Sequence, residues 1–356
     1  QSPIPNPQSP IPNPHKYNII IQSIKKLINY LSQKINKIII KKNMYLKNFE
    51  LQTTDKCNYS IEVSPNNSSI FFSLDEKGYI IPKDDFLSLK NQNLNKLLTS
   101  DSSKKLKIFT CEDTIAKIKY TPDNNNIIIG DQTKTITKFK ISENSGEQSD
   151  KKIIEYKNSK TWKFLLDKDQ TNPILCTGDN SIFLIDYTKN EIVKEIEQKN
   201  KFIYSYSFLP NNKLATGNSN GAIYIYDTKT GEKEKKIEEH CLLVRNLEFN
   251  QNKNILYSAS DDLHINQIDM NTLKLFSPIV GHKEPISDMI YNETKGILIT
   301  SSFDGCIKIW DAKGNNSCID TLMLNNKNPI WDIGVSEQGD FIAFTASEGI
   351  GAFSLK

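Results

Sequence analysis

The sequence predicts an all-β fold built from seven copies of one small antiparallel sheet. Three observations carry this. Between Gly281 and Asp311 three short runs alternate apolar and polar residues, around Ile286 and Met289–Tyr291, at Ile297–Thr300 and at Ile307–Asp311, with turn residues such as Phe303-Asp304-Gly305 between them. Alternation with period two marks strands that bury one face. The pattern then recurs, because comparable units close at Asp186, Asp227 and Asp269 as this one closes at Asp311, a spacing of about 40 to 45 residues. Weaker copies occupy Tyr59–Asp84 and Ile115–Lys140, and a partial one occupies Ile330–Lys356. One such sheet cannot bury both faces alone, so the copies must stack on one another.

The unit at 281–311 opens on Gly281-His282 and ends on Trp310-Asp311. With these residues it resembles a WD repeat, one blade of a β-propeller. The fold expected is therefore a seven-bladed WD-repeat β-propeller. The resemblance implies that His282, Thr300, Asp304 and Trp310 form a hydrogen-bonded chain across the blade. An imidazole held between a carboxylate and a hydroxyl is satisfied although buried. The unit His240–Asp269 has His240, Ser258 and Asp262 in matching places, with Ile268 where the Trp would stand. The same residue types could compose a hydrolytic triad, but the structural role accounts for all of them.

Composition excludes little and favours a plain globular chain. Of 356 residues 37% are apolar and 24% charged, and the net charge is only +3, so composition does not by itself demand nucleic acid. The abundance of Asn, Lys and Ile reads as a bias of the source. Six cysteines (Cys57, Cys111, Cys176, Cys241, Cys306 and Cys318) include no Cys-x-x-Cys and have no His pair beside them, so no zinc site is expected. Reduced thiols fit a cytoplasmic protein, with the nucleus as a second location. There is no Gly-rich phosphate loop and no nucleophile elbow. Of the four histidines, His15 lies near the amino end, His240 and His282 take the blade positions, and His264 follows the Asp262 turn on a strand. No enzymatic activity, cofactor or metal is expected.

The amino end reads differently. Residues 1–14 repeat QSPIPNP twice, and proline at this density favours an extended, disordered tail over 1–17. Residues 18–43 carry Ile24, Ile28, Leu31, Ile35 and Ile38 at helical spacing among Lys25, Lys26, Lys34, Lys37, Lys41 and Lys42. This is a basic amphipathic stripe, and its lysines interrupt any span long enough to cross a membrane. Three readings stay open: a partner-binding or membrane-surface helix, an organelle-targeting segment, or an extension outside the working protein, with Met44 as its natural start. The propeller is expected over 44–356. Its last unit stops after a third strand at Ile350–Leu355. The alternating stretch Met44–Gln52 is expected to supply the missing outer strand, close the ring and cover the open edge. Asp85–Ser103 is a long link, read as a short helix or an insertion, and Ser142–Lys152 is a second hydrophilic gap.

The candidate functional residues follow from aligning the repeats on one apolar position of the first strand (Val63, Tyr120, Leu166, Phe208, Phe249, Tyr291, Val335). Four residues earlier, at the rim of the channel, stand Tyr59, Ala116, Trp162, Tyr204, Arg245, Ser287 and Trp331. Phe303, beside the Asp304 turn, is expected on the same face. Tyr, Trp and Arg are the types that dominate binding energy at interfaces. The residues read either as packing under neighbouring loops or as a partner-binding ring.

Over roughly 200–356 the likeness is narrower. The segment before Lys201-Phe202-Ile203 lacks a Gly-His start, a strand carries Ala215-Thr216-Gly217, the unit ends on Tyr226-Asp227, and Val244-Arg245 follows His240. The last unit opens Asn328-Pro329-Ile330-Trp331-Asp332. In these features the chain is similar to the seven-bladed WD subunit of the superkiller (Ski) complex, which in animals also serves the Paf complex. The first two units depart from that pattern. The resemblance implies a non-catalytic adaptor, monomeric within a larger complex. It would bind a tetratricopeptide-repeat scaffold that also carries an RNA helicase, and so support RNA decay, with RNA contacted by the partners. The alternatives are a WD-repeat scaffold of a ribosome-associated, ciliary or signalling assembly, and a membrane-surface propeller tethered by residues 18–42.

Overall fold

Strands stacked on both sides need apolar residues on both faces, and the middle strands of this chain have them. A computed structural model describes residues 45–52, 60–88, 107–141 (save 112, 122, 133 and 134), 154–155, 164–165, 174–177, 181–186, 189, 191–197 and 202–355 (save 325, 326 and 348). The tail, the amphipathic stripe, Tyr59 and Trp162 lie outside the described residues. Among the described residues, the strands form seven four-stranded antiparallel sheets.

Strand β1 (Tyr45–Gln52) belongs to the last sheet. The first sheet holds β2 (Ile61–Val63), β3 (Ser69–Leu74), β4 (Lys77–Pro82) and β5 (Lys107–Thr110), with the helix α1 (Lys83–Ser88) after β4. The second holds β6 (Ile115–Tyr120), β7 (Asn126–Asp131), β8 (Thr135–Lys140) and β9 (Ile154–Glu155). The third holds β10 (Phe164–Leu165), β11 (Ile174–Thr177), β12 (Ser181–Asp186) and β13 (Glu191–Glu197). The fourth holds β14 (Ile203–Leu209), β15 (Lys213–Asn218), β16 (Ala222–Asp227) and β17 (Lys233–Glu238). The fifth holds β18 (Val244–Asn250), β19 (Ile255–Ser260), β20 (His264–Asp269) and β21 (Ile279–Val280). The sixth holds β22 (Ile286–Asn292), β23 (Ile297–Ser302), β24 (Cys306–Asp311) and β25 (Cys318–Met323). The seventh holds β26 (Ile330–Val335), β27 (Phe341–Ala346) and β28 (Gly349–Leu355), with β1 outermost.

Burial grades from the inner to the outer strand. The second strands β23 and β27 are buried at every residue, whereas β17 buries only Ile237. Sheets are therefore covered on both faces near the first strand and solvated at the fourth. The apolar clusters lie between sheets. Tyr257, Ala259 and Ile265 of the fifth meet Met289, Leu298 and Trp310 of the sixth. Phe341, Ala343, Ile350 and Ala352 of the seventh pack with Ile61, Phe72 and Ile81 of the first. Each such Ile or Phe contributes about 1.5–3 kcal/mol by leaving water. First strands also pack beside first strands, β14 against β18, β18 against β22, β22 against β26, β26 against β2 and β2 against β6. This is the blade packing of a β-propeller.

Residues Tyr45–Lys356 make one unit. In the seventh sheet β1 runs antiparallel to β28, from Tyr45 opposite Leu355 to Gln52 opposite Gly349, with one register shift between Lys47 and Phe49. One boundary differs from the sequence reading. The first repeat does not run as strand to Asp84, because β4 ends at Pro82 and α1 begins at Lys83. Asp84 and Asp85 suit the first helical turn, where the backbone amides are unpaired, and Phe86 anchors the helix in the core of the first sheet. The turn between β23 and β24 needs Gly305, whose φ is +74° and whose Cβ would fall 2.6 Å from the Lys327 backbone; only glycine fits there without strain.

Candidate functional site

The polar residues of the sixth sheet form a chain. His282 Nδ1 lies 3.0 Å from Asp304 Oδ2, and Nε2 lies 2.8 Å from Thr300 Oγ1. Trp310 Nε1 donates to the same hydroxyl oxygen at 2.9 Å. A carboxylate only accepts, so Nδ1 carries a proton toward Asp304. In the fifth sheet His240 stands 2.8 Å from both Asp262 Oδ2 and Ser258 Oγ, and Ile268 replaces the indole. Burial alone would raise the Asp262 and Asp304 pKa values. The hydrogen bonds from His240 and His282, with backbone amides at each turn, outweigh burial and hold both near 2. Both imidazole side chains are wholly buried, and with every partner accounted for they serve as internal struts.

The rim residues converge. Tyr204 on β14, Arg245 on β18, Phe303 after β23 and Trp331 on β26 line one cleft of about 170 Å³, together with Ala116, Ser287 and Gln132. Arg245 binds Asp261 through two donors, Nε to Oδ1 and Nη2 to Oδ2 at 3.0 Å. Its guanidinium carbon lies 5.4 Å from the Tyr204 ring centre and 5.2 Å from that of Phe303, so the cation sits against both rings. Phe303 in turn meets Trp331, ring centres 5.0 Å apart. Phe202 extends the row, 5.8 Å from Tyr204. Trp331 is 40% exposed and donates to Ser347 Oγ at 3.2 Å. Ser287 bonds Ser301 at 2.9 Å. Four consecutive sheets thus contribute one aromatic and cationic row, with Tyr59 and Trp162 lying outside the described residues.

Next in sequence to these positions stands a set of buried residues that the sequence reading did not single out. One residue past each rim position stand Ser60, Lys117, Ser205, Asn246, Asp288 and Asp332, all buried. Each reaches another sheet. Ser205 Oγ donates to Val244 O at 2.8 Å, Asn246 Nδ2 to Met289 O at 3.1 Å, and Ile118 N to Ser60 Oγ at 3.2 Å. Ile333 N donates to Asp288 Oδ2 at 3.3 Å, and Ile61 N to Asp332 Oδ2 at 2.9 Å. Lys117 Nζ stands 2.5 Å from Asp332 Oδ1. Burial would lower the Lys117 pKa, but the carboxylates of Asp332, Asp288 and Glu62 push it up, so it remains an ammonium ion. The signal was present in the sequence: a polar residue follows every rim position, in a strand that otherwise alternates toward apolar.

A wider groove of about 720 Å³ lies between the fifth and sixth sheets at their outer strands, lined by Phe276, Pro278, Val280, Trp310 and Cys318. Among the described residues no group of three or more His, Cys, Asp or Glu is placed to hold a metal ion. No helix among them is long and apolar enough to cross a membrane.

The repeat geometry agrees with what comparison finds. The family model for the WD domain, G-beta repeat, matches residues 273–311. The chain carries WD40 repeats. Cilia- and flagella-associated protein 337 B of Tetrahymena thermophila is 26% identical to this WD40-repeat chain over 228 residues, 60% of the chain and 18% of that protein. Nuclear distribution protein nudF of Aspergillus niger is 31% identical over 128 residues, 33% of the chain and 29% of that protein. WD repeat-containing protein 55 of Rattus norvegicus is 24% identical over 187 residues, 50% of the chain and 48% of that protein. The WD40-repeat chain thus spans less than half the length of each of these relatives.

Proposed function

We propose that this chain is a non-catalytic protein–protein interaction scaffold: a seven-bladed propeller whose ring is closed by β1 and whose rim row binds a partner. One observation carries the reading, the convergence of Tyr204, Arg245, Phe303 and Trp331 on one cleft. A struts-only role for these side chains would bury them. Instead Trp331 is 40% exposed, on a surface whose other large groups already hold one another in place. A rigid aromatic row is ready to bury a partner's side chains at little entropic cost. Closure by β1 is supported by its pairing with β28 and by the packing of the seventh sheet on the first.

WD repeats of this kind generally act as scaffolds, and the relatives named above come from ciliary and nuclear-distribution contexts as well as from WD proteins named only for their repeats. The Ski-type assignment to a tetratricopeptide scaffold and an RNA helicase draws no support from these relatives, so the proposal is the wider one, a scaffold in the cytoplasm or nucleus. Among particular assemblies a ciliary one has the broadest alignment in its favour, over 60% of the chain.

The test is affinity capture with mass spectrometry, wild type beside Trp331→Ala and Tyr204→Ala. A partner set retained by wild type and lost from both variants, with unchanged melting curves, is the expected result. Truncation at such an anchor costs on the order of 2 kcal/mol, about thirtyfold in affinity. The rim assignment falls if the same partners survive both substitutions. Which partners come down separates a ciliary from an RNA-decay assembly.

A further inference from the structure

The rim row carries a cation whose charge is already matched. Arg245 holds both oxygens of Asp261, through Nε and Nη2, and its Nη1 stands 3.4 Å from the Tyr204 hydroxyl. The buried ammonium of Lys117 in the cleft wall is paired with Asp332, and Asp288 accepts from the Asn246 side-chain amide and the Ile333 amide. Ala116, Gln132 and Ser287 add uncharged groups to the same walls. A charged segment docking here would give up its water for partners that are already engaged, which is costly. The row is also regular. Its centres step 5.8 Å from Phe202 to Tyr204, 5.4 Å to Arg245, 5.2 Å to Phe303 and 5.0 Å to Trp331. Two such steps reach at most about 10–11 Å, and one three-residue turn of a polyproline II helix is about 9 Å. At the exposed end the Trp331 indole donates to Ser347 Oγ at a long 3.2 Å.

We infer that the rim row takes an uncharged, proline-bearing segment of a partner protein in the polyproline II conformation, its prolyl rings lying on Tyr204, Phe303 and Trp331. The inference rests on the docking reading above and names the partner's chemistry. Such a segment makes no hydrogen bonds within itself, so its carbonyls are open to a donor such as Trp331 Nε1. It arrives already ordered, and aromatic-lined grooves are where segments of this kind dock. A helix is about 10 Å across, too broad for a cleft of about 170 Å³. An added strand needs a line of open backbone groups, whereas this row is made of side-chain rings and one guanidinium.

The full chain labelled with 5-fluorotryptophan tests this by fluorine NMR, with the Trp331 signal assigned from Trp331→Phe and acetylated decaproline as the probe. Decaproline is expected to shift the Trp331 signal and to leave that of the buried Trp310 in place. Phe303→Ala should weaken the binding by about tenfold. Affinity should change by less than about twofold between low and high salt, because no exposed charge is used. A glycine–serine decamer, and decamers of glutamate or of lysine, are expected to leave the signal where it was. A Trp331 signal unmoved by decaproline, or moved as far by any of the other decamers, overturns the inference. So does binding that salt weakens by about tenfold. These wild-type readings decide even where Phe303→Ala does not fold. Partner capture lost in Trp331→Ala while decaproline leaves the signal unmoved removes this inference alone. A decaproline shift while capture survives Trp331→Ala removes the docking reading alone.

Discussion

Phe303 and Trp331 meet edge to face, their ring planes 63° apart and centres 5.0 Å apart, although one sits in a turn of the sixth sheet and the other on the first strand of the seventh. Edge-to-face geometry sets the positive rim of one ring against the negative face of the other. Arg245 completes the row from the fifth sheet by lying over the Phe303 ring. Three sheets therefore meet in one surface feature, and disturbing any member should disturb the others.

Arg245 cannot be replaced by its nearest chemical relative. Its planar guanidinium clamps Asp261 with two donors while stacking on Tyr204 and Phe303; lysine offers a point charge and no plane. Arg245→Lys should lower affinity for a captured partner by about tenfold, ~1.4 kcal/mol, with no change in oligomeric state. Calorimetric titration of the two proteins checks it, and equal affinities would show that only the charge matters.

The Thr300 hydroxyl serves two buried partners, His282 and Trp310, whereas Ser258 serves His240, with no indole beside it. Thr300→Val should therefore cost more than Ser258→Ala. Leaving two buried polar groups unmatched costs about 2–6 kcal/mol, and one about 1–3 kcal/mol. Urea unfolding monitored by circular dichroism measures both.

Acid should unfold the propeller from these same turns. Asp262 and Asp304 are held near 2, below the ordinary 3.8. A depressed carboxyl pKa contributes fully above the unfolded value and is lost as pH falls through the folded one. Stability should thus drop between about pH 4 and pH 2, and Asp304→Asn should make that drop shallower. Urea midpoints taken across this range provide the check.

Removal of residues 45–52 leaves β28 with an unpaired edge along Gly349–Leu355, an invitation to aggregate. The deletion should lose the single cooperative melting transition seen by calorimetry, or move it down by about 3–5 °C, roughly the effect of 2–3 kcal/mol in a domain of this size. A superimposable transition would rule out β1 as the closing strand.

Much of this was legible in residues. The period of the closing aspartates, the strand alternation and the turn at Gly305 are local patterns, and local patterns survive in a one-dimensional reading. The placement of Tyr204, Arg245 and Trp331 at equivalent points of their strands came from the same register. What could not be read was reach. That Asp332 touches both Ile61 and Lys117 depends on groups from sheets far apart in sequence, and that Arg245 is neutralised by Asp261 depends on how adjacent strands of the fifth sheet pair. The short helix, one of two readings of the link from Asp85, begins two residues earlier, at Lys83, and its anchor Phe86 gains its reason only from the core it enters.

By itself the sequence determined the all-β character and the strand pattern of the repeats, and it put Tyr204, Arg245 and Trp331 at equivalent strand positions, since hydrophobic period and turn chemistry act over a few neighbours. The tertiary structure alone decided which rim residues touch, which charges are cancelled and which are buried together. Those outcomes depend on distances between strands that only packing sets, and electrostatic and ring–ring energies change steeply over those few ångströms.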